Sequence, residues 1–563
     1  MKKCNNIFVT MSLSILLVMF ACEDLDELNI NPNSPAPETT DLNLLLPTML
    51  TDLGGRITDM GIGDIAGVMQ HTQKTGWSSG HNNYDWNNPG QSWSGFYGIL
   101  RNSDEFYNKA VDEGYEYHQA IGLIIKAYTF GLITDLWGDA PYSESLKVDD
   151  GILKPVFDSQ QDIYHGIVAD LKTANTLLSA SGGQPINAKQ DVLYGGDISK
   201  WRKLANSLAL RYYMRLQAKE PTFAEDGITE IASDPGTYPI ITSTSDDANI
   251  GYPGTAENTA WPITTEYFPN DPSNDYLRRK PCATLVDTMQ YYNDPRMAVW
   301  FERVEIPLEL VAGTNIGGNS GTNAYDPEDE DDGIRQVSQD VVDAYLANFP
   351  DEPNLRLDFD QDYVGIPAQT QAGQSYNLTA DFATQGAYNY HVSQLSTMYS
   401  ESSGDLLQMR LMSAAEVHFI LAEAAARGWG VPGTAAGHYQ SGVQESLNAW
   451  GIGNSYGTYI ANAPYVDIGS IIFQKWIASW TAAAESWFDY RRTGMPDLQT
   501  GFSARRQAIP LRFYYSLNED ISTNPDNAEA AIEKLEMTSF ASPDPKNSAW
   551  SKPWLLQGTG FPY

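Results

Sequence analysis

The stretch from His118 to Ser145, HQAIGLIIKAYTFGLITDLWGDAPYSES, decides the architecture. Ile121, Ile124, Ile125, Tyr128, Leu132 and Ile133 recur at three-to-four spacing, which predicts a helix with one broad apolar face. Gly122, Ala127 and Gly131 would let a neighbouring helix come close. The pattern stops at Thr134-Asp135-Leu136-Trp137-Gly138-Asp139-Ala140-Pro141-Tyr142. There Gly138 can supply a left-handed turn, and Pro141 cannot continue a helix. A buried helix closed by a polar, aromatic corner is expected, and on the residues alone its role is scaffold.

Working outward, the same periodicity predicts helices over 101–112, 116–134 and 158–178, the last with Asp158 as N-cap. A helix starting after Asp41 should be bent or split early by Pro47. Trp201 to Lys219 is amphipathic, with Ser199 as candidate cap and Trp201, Leu204, Leu208 and Tyr212 on the core side. Arg211 and Arg215 should pair with neighbouring acids. From 221 to 400 the helical pattern weakens while Gly, Pro, Asn, Thr and Asp rise, as in a large insertion of loops and short elements. Helices return at Ser413 as an antiparallel hairpin turning at Gly430 to Gly433, and Ile468 to Tyr490 reads as one further helix. The fold class is mainly α, with helix pairs of tetratricopeptide type.

The chain has 563 residues, is 42% hydrophobic and 12% aromatic, and carries a formal net charge of -36 from 71 acidic and 35 basic residues. Without a basic stripe to meet phosphates, nucleic-acid binding is disfavoured. Lys2 and Lys3 precede an apolar run, Ile7 to Phe20, too short for a comfortable span, which ends Phe20-Ala21-Cys22. A small residue before cysteine is similar to a bacterial lipoprotein processing site, although Phe20 is bulkier than usual there. Residues 1–21 are then a signal peptide, Cys22 carries the lipid, and residues 22–40 form an acidic tether. No later apolar run is expected to cross a membrane, and no disulfide framework is implied.

Gly76 to Tyr97, GWSSGHNNYDWNNPGQSWSGFY, is rich in Gly, Asn and Ser yet carries six aromatics. Trp93, Phe96, Tyr97 and Leu100 have helical spacing and read as core. Trp77 and Trp86 do not, so they are candidates to stack on a sugar ring, with Asn83 and Tyr84 beside them. Trp261 and Tyr267, among polar residues of the insertion, are second candidates. Asp358, Asp360 and Asp362 alternate as calcium ligands do, but Tyr363 and Gln369 stand where an EF-hand needs Gly and Glu. They are candidate ligands of a structural calcium ion; no other cofactor is implied. The acidic run Asp326 to Asp332 reads as a solvated loop.

Several separated blocks, in order, resemble the SusD/RagB family of outer-membrane nutrient-binding lipoproteins of Bacteroidota. They are Asn31-Pro32-Asn33, Thr134 to Tyr142, Pro155 to Leu171, Trp201 to Leu216, Tyr363 to Pro367, Ala415 to Gly428 and Glu485 to Pro496. The resemblance implies one body over 41–563, with a helical scaffold at about 41–220 and 405–500 and a ligand-facing insertion at about 221–400. It implies a surface-exposed, lipid-anchored protein without catalytic function, acting as a lid on a SusC-like TonB-dependent transporter. The acidic run Glu23 to Glu27 resembles the family's surface-export signal. A neutral oligo- or polysaccharide suits the aromatics and the acidity, and a laminarin-type β-glucan is the specific expectation. Peptide capture, as in RagB-like members, is the nearest alternative. A helical glycoside hydrolase and a purely structural surface protein are the others.

Overall fold

The computed structural model describes residues 41–75, 79–86, 91–267, 275–318, 333–379, 388–516 and 522–563. Its helices form where apolar residues repeat with the helical period. We label them α1 (Leu45–Ile62), α2 (Ser94–Asp112), α3 (Glu116–Trp137), α4 (Gln160–Ser179), α5 (Ile198–Arg215), α6 (Ala283–Tyr292), α7 (Ala414–Ala426), α8 (Ala435–Asn448), α9 (Ile468–Ala478) and α10 (Ala483–Thr493). Chain neighbours pack on one another: α2 on α3, α3 on α4, α4 on α5, and α7 on α8. This is the expected mainly α scaffold of stacked helix pairs.

Helix ends correct four expectations. Pro47 falls in the first turn of α1, where a backbone N–H has no helical partner, so it neither bends nor splits the helix. Ser159 caps α4 by accepting from the Asp162 N–H at 3.1 Å. Asp158 instead accepts from Tyr142 N at 2.9 Å and Ser143 N at 2.8 Å, locking the polar corner. Asp197, not Ser199, caps α5 through Ser199 N at 2.9 Å. The helix expected over 468–490 is two, α9 and α10, because the chain breaks at Thr481 with φ 66°.

The organising stretch is more enclosed than its pattern suggested. From Tyr117 to Trp137, α3 is buried on every side except at Gln119 and Lys126. Among the described residues α3 is the one helix long and apolar enough to cross a membrane, contrary to expectation, but its surface is covered by protein.

At the end of α3 lies a buried ion network. Arg211 meets Glu416 at 2.7 Å, and Arg215 meets Asp135 at 3.2 Å and also Glu485. Lys475 meets Asp489 at 2.8 Å, and Arg492 joins Glu423 at 2.6 Å and Asp489 at 2.7 Å. Arg491 donates to the Asp135 carbonyl at 2.6 Å. The network ties α3, α5, α7, α9 and α10 together. The expected pairing of Arg211 and Arg215 with acids is what the structure shows.

Short strands staple the insertion to this scaffold. They are β1 (Thr72–Lys74), β2 (Ala248–Gly251), β3 (Arg279–Pro281), β4 (Leu308–Val311), β5 (Arg335–Ser338) and β6 (Gln408–Met412). β1 pairs antiparallel with β3, placing Thr72 opposite Pro281, and β2 pairs antiparallel with β6. Within the insertion β4 and β5 are parallel. The insertion also has its own small core, in which Val304, Leu355, Val364, Ile366, Ala372, Tyr376 and Val392 cluster. Tyr363 to Pro367 is structural: Ile366 N donates to Pro281 O at 2.9 Å and Ala283 N to Ile366 O at 2.8 Å.

Candidate functional site

The insertion meets the end of the scaffold in a cleft of 470 Å³. α6 supplies Asp287, residues 351–358 supply a polar rim, and a loop after α10 supplies Phe502. That loop is held by the insertion backbone. Gly501 N donates to Gln369 Oε1 at 2.9 Å, and Ser503 N to Gln369 O at 2.7 Å. A side chain at Gly501 would overlap the Ala368 carbonyl, so only glycine allows this approach. Phe502 is thereby set as a wall with 48% of its surface free.

The same cleft also carries hydrogen-bonding groups. Asn354, Thr370 and Thr500 line the cleft. The Thr370 hydroxyl donates to Glu352 at 2.6 Å, and Tyr376 O–H donates to Asp358 at 2.8 Å. Arg356 Nη1 donates to the carbonyls of Pro353 and Leu355, at 3.0 and 2.8 Å. Burial, and then the nearby Asp358 charge, push the Asp287 carboxyl up to about 6. Burial also raises Asp358, against the Tyr376 hydrogen bond. An aromatic side chain lining one cleft with hydroxyl, amide and carboxylate groups can hold a ring with apolar C–H faces and polar edges.

The sequence-derived candidates fall differently. Trp86 is 2% exposed, donates its indole N–H to Gly80 O at 3.1 Å and meets Trp487 and Phe513 edge-on. Tyr84 is fully buried and donates to Val68 O at 3.3 Å. Trp261, 1% exposed, packs on Tyr252 and Tyr399. None of these three offers a face to a ligand, which corrects their assignment. Tyr267 is half-buried, its hydroxyl donating to Gly254 O at 3.1 Å. Asn83 is also half-buried, and its carbonyl accepts from Arg505 N at 2.7 Å, three residues beyond Phe502. Trp77, Cys22 and the run Asp326 to Asp332 lie outside the described residues. Trp93 and Phe96 are core, as their spacing predicted.

The three candidate calcium ligands do not converge. Asp358 is engaged by Tyr376, Asp362 pairs with Arg303 at 3.1 Å on the surface, and Asp360 is exposed. Among the described residues, no three His, Cys, Asp or Glu side chains are grouped to hold a metal ion.

A helical scaffold with a ligand-sized cleft where an insertion meets it is the architecture of this chain. A family described as "Starch-binding associating with outer membrane", SusD-like, matches residues 32–516, and the chain belongs to that family. Among solved structures, a chitin-binding protein is 22% identical, with 92% of this chain and 100% of that chain covered and a TM-score of 0.67. A chitin-binding SusD homologue from Flavobacterium johnsoniae is 20% identical, with 91% and 99% covered and a TM-score of 0.65. A SusD homologue from Bacteroides fragilis is 21% identical, with 92% and 99% covered and a TM-score of 0.65. At these identities the likeness shows the fold. No curated protein sequence matches the chain.

Proposed function

We propose that this protein captures a neutral oligo- or polysaccharide, of the laminarin-type β-glucan class, at the outer surface of the outer membrane. In this reading Cys22 carries a lipid anchor, residues 22–40 are the tether, and the captured glycan passes to a SusC-like TonB-dependent transporter. The chain binds and releases without catalysis. The observation that carries the reading is the cleft walled by Phe502 and rimmed by hydroxyl and amide groups, in a chain of a starch-binding family. The chitin-binding relatives lend it support, since chitin is also a β-linked polysaccharide.

Affinity electrophoresis of residues 23–563 in gels cast with laminarin, other neutral glucans and soluble chitin derivatives tests it. Laminarin should retard the protein, and Phe502→Ala should abolish most of that retardation. Retardation by chitin derivatives alone would move the ligand class. Retardation by none would overturn the glycan reading. Release of sugar by the purified protein, lost on changing Asp287 or Asp358, would overturn the non-enzymatic reading.

A further inference from the structure

A second cleft, of 560 Å³, adjoins the cleft of Phe502 and is within the size range of ligand pockets. The two share no lining residue, yet the same two elements line both. From α6, Ala283 and Asp287 line the cleft of Phe502, while Thr284, Thr288 and Tyr292 line the second. Residues four apart stack in rows along a helix, so these are neighbouring rows of one helix. From the segment after α10, Thr500 to Phe502 line the first cleft and Met495 to Leu498 the second. Gln70, 1% exposed, pins the two elements together where the clefts meet. Its amide N–H donates to Gln499 O at 2.8 Å, and its side-chain carbonyl accepts from the Thr284 hydroxyl at 2.6 Å. The clefts therefore follow one another along a single seam between α6 and residues 495–502.

The ring that stands over this seam is left in water. Tyr291 has 79% of its surface free. It comes four residues after Asp287 and three after Thr288, so it stands one turn beyond both rows. Its ring meets that of Tyr292 edge-on at 4.9 Å, and Tyr292 in turn lies 5.7 Å from Phe473. Three rings thus lead from the outer face of α6 into the second cleft. Val466, also exposed, stands on its rim. Among the described residues the charged groups of the lining are two exposed carboxylates, Asp467 and Asp497, with no cation. Such a lining repels an anionic ligand and accepts hydrogen bonds from a neutral one rich in hydroxyls.

We propose that the second cleft is a distal subsite for the same polysaccharide chain. A neutral glycan held at Phe502 runs past Tyr291 and seats a further sugar ring against Tyr292 and Phe473, with hydroxyls donating to Asp467 and Asp497. The proposal rests on the glycan reading of the cleft of Phe502. Its consequence is selection by length: a long chain engages both clefts, and a short fragment engages one.

Isothermal titration of residues 23–563 with laminaritriose and with laminariheptaose tests it. Both should bind, the heptaose about tenfold more tightly, the scale of one added aromatic contact, and with one heptaose per chain. Tyr291→Ala removes a ring that lies largely in water. Thr288→Lys keeps a good helix former and lays a longer side chain across the path. Each should bring the heptaose down to near the triose and leave the triose unchanged. Phe502→Ala should weaken both sugars. Equal affinity for the two sugars, heptaose binding unchanged in either α6 variant, or two heptaose molecules per chain would overturn the proposal. In those cases the glycan reading of the first cleft still stands if Phe502→Ala weakens the triose. Triose binding unaffected by Phe502→Ala, or no binding of either sugar, would overturn that reading and the proposal with it.

Discussion

Arg492 and Arg56 show two uses of one side chain. Arg492 is 2% exposed and shared between Glu423 and Asp489. Arg56 is open to solvent and unpaired. A guanidinium taken out of water must find acceptors, here carboxylates, because desolvation is costly and an unpaired buried charge costs more still. One left in water gains little from a surface partner. The buried network therefore sets how α3, α5, α7, α9 and α10 stand together. Exposed charges such as Arg56 stay in water and take no part in setting that arrangement.

Removing a member of the network should give an effect as large as that of any core truncation. Asp489→Ala leaves Lys475 and Arg492 short of a partner and should cost about 3–5 kcal/mol, read from the urea midpoint. Burial works to raise the Asp489 carboxyl, but Lys475, Arg492 and Arg215 outweigh it and hold it well below the ordinary range. Its stabilisation is therefore present above the unfolded carboxylate value and is lost as pH falls through the folded one. The variant should show a flatter acid limb in a stability–pH profile. An unchanged midpoint would mean that the network relaxes without it.

Trp86→Ala comes next. Emptying a core site between Trp487 and Phe513 should cost roughly 3–5 kcal/mol of stability, with glycan retention per folded molecule unchanged. Lost retention at full stability would instead restore Trp86 as a platform. Phe502→Ala should reverse that pattern. Denaturation should shift by less than about 0.5 kcal/mol, while laminarin binding falls roughly tenfold. The smallest effect is expected from Asp287→Asn. Its carboxyl sits at about 6, so the ionised acceptor, and with it glycan binding, should gain as pH rises through that value. Folding stability should move the other way, since a raised carboxyl contributes most below the unfolded value and loses that contribution as pH rises through 6. Both slopes should vanish in the variant, measured by titration calorimetry and by melting between pH 4 and 8.

The helical scaffold was legible because its apolar residues recur over many turns, from Ile121 to Ile133 and again from Trp201 to Tyr212. The candidate site was much less so. Trp86 and Trp261 sit in Gly-, Asn- and Thr-rich surroundings that read as loop, and loop suggested exposure. In Trp86 the indole N–H finds the Gly80 carbonyl inside the fold, so a polar neighbourhood did not keep the ring in water. Phe502 carried only a weak signal, a lone aromatic after Gly501. Asp358, Asp360 and Asp362 imitated a calcium loop, but alternation along the chain does not fix where three carboxylates point once each has its own neighbour. Nor does spacing tell Arg492 from Arg56. Whether an arginine is paired depends on residues far away in the chain.

Gly501 against the Ala368 carbonyl also bears on when the protein becomes competent. A chain threaded N-terminus first presents Asp287, Asp358 and Tyr376 well before Phe502. The scaffold through α5 and the whole insertion can emerge while the aromatic wall is still missing. The complete cleft is thus among the last features the polypeptide acquires, and a chain stopped before residue 501 would carry most of the body but an open-sided cleft.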